Sequence, residues 1–169
     1  MSSVTLGSLI GFDLEEQFQN FDLTEVQQVL VELQSTEVID LAHAENLQRL
    51  SLRGADILSE YIGRMIKTVS YLESQLNKIK NKAALDYKTP DGKTTMDLRK
   101  FAAEASPEVE EINIKLAKAK AGKAVLEKKF DILIKSHHYY KDMALGYKKT
   151  IVGHGNINPS REKIAEGWE

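Results

Sequence analysis

Apolar residues recur in two long registers through the middle of the chain. In the first they stand at Leu58, Ile62, Met65, Val69, Leu72, Leu76, Ile79 and Ala83, at spacings of 4, 3, 4, 3, 4, 3 and 4. In the second they stand at Val109, Ile112, Leu116, Ala119, Leu126, Phe130, Leu133, Tyr140, Ala144 and Tyr147, with Lys123 and His137 at the two positions where the register asks for an apolar residue. Alternating steps of three and four keep one stripe of a helix facing a partner, which is the coiled-coil pattern. Between the runs lies Lys88-Thr89-Pro90-Asp91-Gly92-Lys93, with proline and Asp-Gly placed as a turn needs them. The pattern predicts an all-α protein: a long antiparallel helical hairpin, coiled-coil-like, with its turn at 88–95 and an additional N-terminal helical segment. Three regions follow: an acidic segment over 1–55, the hairpin over 56–150 and a tail over 151–169.

The flanking elements are weaker. Residues 1–22 set Leu6, Leu9, Ile10, Phe12, Leu14, Phe18 and Phe21 among glycines and acids. That segment is too short to bury its three phenylalanines alone. Either they fold back on the hairpin, or Phe12, Phe18 and Phe21 act as anchors for a partner. Asp22 or Thr24 can cap a following helix whose apolar face is Val26, Val29, Leu30, Leu33, Val38 and Leu41, with an interruption or restart at Ser35-Thr36-Glu37. Gly54 is a candidate bend, because glycine weakens a helix interior by about 1 kcal/mol. Thr94 and Asp97 resemble a capping box for a short helix, Thr95 to Glu104, that would bury Met96, Leu98 and Phe101. Ser106-Pro107-Glu108 marks the start of the second long helix, expected to run to about Lys149. Gly153-His154-Gly155 reads as its stop.

Composition narrows the function. The 169 residues contain no cysteine, which excludes disulfides and thiolate zinc sites and fits a reducing compartment. No apolar run approaches the roughly 18 residues of a membrane span, and the N-terminus lacks a signal-peptide pattern. The expectation is a soluble protein without membrane association, located in the cytoplasm (that of the host, for a viral protein). The net charge of −2 hides an asymmetry: residues 1–60 hold two bases and eleven acids, net −9, and the remainder is net +7. A basic half invites a polyanion or an acidic partner; the plainer reading is a solvated coiled-coil face.

Little points to catalysis. No phosphate-binding loop of the Gly-x-x-x-x-Gly-Lys-Ser/Thr type is present. Asp40-x-x-His43 is a single loose approximation to the paired motif of helical di-metal sites, and His137-His138 point in different directions on a helix. We therefore expect no metal, no cofactor and no enzyme activity. The richest polar cluster surrounds the turn: Lys78, Lys80, Lys82, Lys88, Lys93, Arg99 and Lys100, with Tyr87 and Phe101 among them. Lysines that track phosphates beside an aromatic ring for base stacking are what sequence-tolerant single-strand binding requires. A second set, Lys135, Lys141, Lys148 and Lys149 with Tyr139, Tyr140 and Tyr147, falls far from the turn in an antiparallel hairpin. Ile66, Ile114, Val125, Ile132 and Ile134 are apolar off the seam, a surplus that predicts cover by the N-terminal helices, by other copies in a homo-oligomer, or by both.

From about Leu76 to Tyr147 the chain resembles the UvsY-type recombination mediators of tailed phages. The resemblance lies in the basic helix end Lys80-Asn81-Lys82-Ala83-Ala84-Leu85-Asp86-Tyr87, the Gly92-Lys93 turn and Met96-Asp97-Leu98-Arg99. It continues through Ser106-Pro107-Glu108-Val109, which opens a helix closing near Leu133-Ile134-Lys135-Ser136. It implies a helical, self-assembling protein that binds single-stranded DNA and loads a RecA-type recombinase past the single-strand-binding protein. Lys80 and Lys82 would then be DNA contacts; Ala84 departs from the basic residue expected there. The expected nucleic-acid-binding residues are Lys78, Lys80, Lys82, Tyr87, Lys88, Lys93, Arg99 and Lys100. The alternative is a coiled-coil adaptor or inhibitor that binds a host or immune protein, with no nucleic-acid role. A structural subunit of a virion or tail is a third.

Overall fold

The computed structural model describes residues 5–6, 21–35, 37–89 and 95–155. They form four helices: α1 (Thr24–Ser35), α2 (Leu41–Asp86), α3 (Met96–Glu104) and α4 (Pro107–Gly155). The architecture is the expected hairpin, with α2 and α4 packed along their lengths. At 46 and 49 residues, each is about 70 Å long.

The seam follows the apolar register. Leu58, Met65 and Leu72 of α2 and Leu116, Ala119, Leu126 and Leu133 of α4 are buried. Cross-helix contacts fix the antiparallel order. Glu45 meets Lys148 at 2.8 Å and Glu73 meets Lys120 at 2.8 Å, while the Nδ1 of His137 lies 3.3 Å from the Gln48 carbonyl. His137 is half-buried at its seam position. Lys123, the other polar intruder, keeps its ammonium at the rim by pairing with Glu127 at 3.1 Å. Such snorkelling lets the lysine stem lie on apolar surface while the charge stays wet.

The N-terminal segment covers one groove of the hairpin. Val26, Val29 and Leu30 of α1, with Leu23 and Phe21 before it, join the core. Asp22 accepts from the Thr24 amide at 2.9 Å, the expected cap. Tyr61 of α2 donates to the Asp22 carbonyl at 3.3 Å, and Arg53 pairs with Glu25 at 2.6 Å. On the other side Lys129 reaches Gln27 at 3.4 Å, Tyr140 donates to the Leu33 carbonyl at 3.0 Å, and Tyr147 donates to the Val38 carbonyl at 3.3 Å. α1 therefore straddles both long helices. Thr5 pairs with Asp22 in an isolated antiparallel bridge, which sets Leu6, fully buried, against Met65 and Gly122.

Several expectations are refined or corrected. The helix over Val26–Leu41 is interrupted at the expected step: α1 stops at Ser35, and Asp40 caps a new helix by accepting from the His43 amide at 2.7 Å. Val38 thus lies in the link and Leu41 begins α2. Gly54 does not interrupt the helix. α2 passes through it, and a Cβ placed there would stand 3.0 Å from Leu133 Cδ1 and 3.4 Å from Val29 Cγ1. The glycine is there because three helices meet at that level. The α3 cap is Thr95, whose hydroxyl accepts from the Leu98 amide at 3.4 Å; Thr94 lies outside the described residues. α4 runs through Gly153 to Gly155, beyond the expected end at Lys149.

The two glycines of α2 separate packing from propensity. A Cβ at Gly63 would meet nothing within 4 Å, so Gly63→Ala is expected to raise stability by about 0.5–1 kcal/mol. Gly54→Leu is expected to lower it by about 1–3 kcal/mol through overpacking against buried Leu133 and Val29. Urea unfolding of the two variants reads both signs.

Candidate nucleic-acid interface

The closed end of the hairpin collects most of the basic cluster. The backbone amide of Tyr87 bonds to the Ala83 carbonyl at 3.2 Å and ends α2. Lys78, Lys82 and Leu85, spaced by four and three, share one face of its final turns, whereas Lys80 lies about 200° round from Lys78. α3 then packs chiefly on α2 and only lightly on α4, and it brings Arg99 and Lys100 to the same end. Lys78, Lys82, Lys88 and Lys100 are exposed; Lys80, Tyr87 and Arg99 are half-buried. Lys93 lies outside the described residues. Lys78, Lys80, Lys82, Lys88 and Lys100 form no ion pair among the described residues. Over 78–104 seven bases face four acids, so the end is basic but mixed.

The short helix corrects a further expectation. Met96, Leu98 and Phe101 are not buried: they are 74%, 45% and 73% exposed, and Leu85 is 71% exposed. The residue that α3 does bury is Ala103. A nine-residue helix lying on one side of α2 has a narrow contact face, and a small residue suits it. Its large apolar side chains face solvent. Sequence reasoning placed Phe101 in the basic cluster but took its hydrophobicity for core.

Phe21, counted among possible partner anchors, is 4% exposed, with its ring centroid 4.7 Å from that of Tyr61. It folds back on the hairpin. Phe12 and Phe18 lie outside the described residues. Part of the second basic set has structural duties: Lys148 is committed to Glu45, and Tyr140 and Tyr147 donate to backbone carbonyls, while Lys135, Lys141 and Lys149 are exposed. Tyr139 stays 59% exposed. Asp40 and His43 are joined as helix cap and first-turn amide. Among the described residues no three histidine, aspartate or glutamate side chains converge as metal ligands, and no helix is long and apolar enough to cross a membrane.

Beside Tyr139 there is a cleft of about 470 Å³, lined by Leu33, Glu37, Val38, Tyr139, Tyr140 and Met143. A shallower groove of about 310 Å³ continues along Met143, Gly146, Tyr147 and Thr150. The shifted groups at this end belong to α2 and α4. The hydrogen bond and charge of Lys148 hold the Glu45 carboxyl below the usual carboxylate range, with a lesser pull from Arg49. Burial and the neighbouring Tyr139 push the Tyr140 hydroxyl up, and burial pushes the Lys129 ammonium down.

Phe101→Ala is expected to change unfolding stability by less than about 0.5 kcal/mol, as at an exposed site, against the roughly 3–5 kcal/mol of a buried phenylalanine; chemical denaturation measures it. Glu45, with its folded pKa depressed, contributes stability that is complete above the ordinary glutamate range and fades as pH falls through the lowered value. Thermal melts from neutral to acid pH are expected to show that loss, and Lys148→Gln is expected to flatten it.

No family model, no curated protein and no solved structure matches the chain.

Proposed function

We propose that the protein binds single-stranded nucleic acid through the closed end of its hairpin. On this reading it acts in DNA recombination or replication as a homo-oligomeric helical mediator beside a RecA-type recombinase and a single-strand-binding protein. It is a binding protein and not an enzyme. The observation that carries the reading is Phe101, 73% exposed within a set of lysines that make no ion pairs among the described residues. An aromatic ring in water has no folding role, and a base stacked on it is worth about 1–3 kcal/mol. The lysines supply the phosphate contacts, and the resemblance over Leu76–Tyr147 points the same way.

A second reading, a protein-binding adaptor with no nucleic acid, is favoured by the flanks. Val125 and Ile134 are partly covered by the core, but Ile66, Ile114 and Ile132 remain 47%, 51% and 43% exposed. The same surplus supports assembly with further copies.

Fluorescence anisotropy with a labelled oligo-dT separates the readings. Each phosphate contact contributes about −0.7 to the slope of log K against log salt on single strands, so four or five contacts give about −3. Lys78→Glu/Lys82→Glu, on one exposed face of α2, is expected to weaken binding at least tenfold and to make that slope shallower by about 1.4. Binding indifferent to salt and to these charges would defeat the proposal.

A further inference from the structure

Tyr139 and Tyr140 are neighbours in α4 with opposite fates. Tyr140 is 5% exposed and donates to the Leu33 carbonyl at 3.0 Å. Tyr139 is 59% exposed, yet its ring is braced. Its centroid lies 5.2 Å from that of Tyr140 with the rings inclined at 72°, an edge-to-face contact. A tethered, buried tyrosine thus steadies an exposed one at the wall of the cleft of about 470 Å³.

Leu33, Val38 and Met143 add apolar surface to that cleft, and Glu37 adds one carboxylate. Glu37 is exposed and pairs with no cation among the described residues. Aromatic and apolar side chains with a single charged group are the lining of a small-ligand site. The tyrosine face takes a planar ring by stacking, and the flexible thioether of Met143 adapts to its outline. An ionised carboxylate only accepts, so it selects a ring that carries a donor.

We infer that the cleft takes a nucleobase with an exocyclic amino group, stacked on Tyr139 and donating to Glu37. Cytosine presents its N4 amino donor where thymine presents the O4 acceptor, so the carboxylate attracts the first and repels the second. The surrounding charges are mixed: Lys128 and Lys135 stand with Asp131 and Asp142, all exposed. This end therefore offers a strand a seat for a base and no track for phosphates. From Pro107 to Tyr139 along α4 is about 50 Å at 1.5 Å per residue, so the seat is separate from the lysines of the closed end. That the base comes from a single strand rests on the function proposed above. The chemistry of the cleft does not, since a free nucleoside carries the same donor.

Fluorescence anisotropy on the full chain, with labelled oligo-dC and oligo-dT at neutral pH, tests the inference. Wild type is expected to bind oligo-dC about five- to tenfold tighter than oligo-dT. Glu37→Gln is expected to erase that preference, because an amide offers both a donor and an acceptor. Tyr139→Ala is expected to weaken oligo-dC binding at least about fivefold, the loss of one stacked base, with the salt dependence unchanged. Tyr139→Phe is expected to keep the affinity. Lys78→Glu/Lys82→Glu at the closed end is expected to do the reverse, making the salt slope shallower and leaving the preference for cytosine intact. Circular dichroism is expected to show the same helicity in every variant.

If both oligonucleotides bind equally, and neither Glu37→Gln nor Tyr139→Ala alters that, the cleft inference is overturned and binding at the closed end stands. If no oligonucleotide binds, but calorimetry finds cytidine binding to wild type and not to Tyr139→Ala, the cleft holds a free nucleoside and the strand reading falls. If neither probe binds, both fall.

Discussion

Everything in this fold depends on the apolar seam between α2 and α4. Neither helix could be stable alone over about 70 Å, since helix propensity is small and most helical stability comes from burying an apolar face. The seam supplies that burial, and its antiparallel register also decides which polar groups meet. Glu45 with Lys148 near one end and Glu73 with Lys120 farther along are consequences of the apolar alignment, and as exposed pairs they contribute little of their own. The register further sets His137 beside the Gln48 carbonyl and the bare backbone of Gly54 beneath Leu133.

A two-helix seam leaves a groove on either side, and α1 takes one of them. It does so through small residues and backbone acceptors. Gly54 admits Val29 where the three helices meet, and Gly122 does the same for Leu6. The carbonyls of Asp22, Leu33 and Val38, which lie at or beyond the ends of α1 and so lack helical donors, are met by Tyr61, Tyr140 and Tyr147. Three tyrosines thus satisfy backbone groups that would otherwise face a drying interface. That arrangement takes Tyr140, Tyr147 and Lys148 of α4 out of contention as a ligand surface.

The closed end shows how amphipathic patterning can mislead. Met96, Leu98 and Phe101 look like the core face of a short helix. The hairpin is already closed at that level, however, and α3 has one neighbour of consequence, which Ala103 suffices to meet. The apolar groups left outside are what give this end a chemistry beyond charge: cations alone hold phosphates, whereas a ring and flexible apolar side chains also hold bases or another protein's clefts.

The all-α class, the two long helices, their antiparallel pairing and nearly every seam residue were legible in the sequence, because heptad spacing is a local signal that reports directly on a helix face; the Pro90-Asp91-Gly92-Lys93 turn lies outside the described residues. The basic cluster was legible for the same reason, being contiguous along the chain. The role of Gly54, the choice of burial for Phe21 and Leu6, and the exposure of Phe101 were decided only by tertiary structure. Each depends on which surface stands opposite: glycine as hinge or as contact, and phenylalanine as core or as ligand, are identical letters until a second helix arrives. Charge followed the same division, since the asymmetry between the halves is written in the chain while the pairing of Glu45 with Lys148 across the open end is a product of the fold.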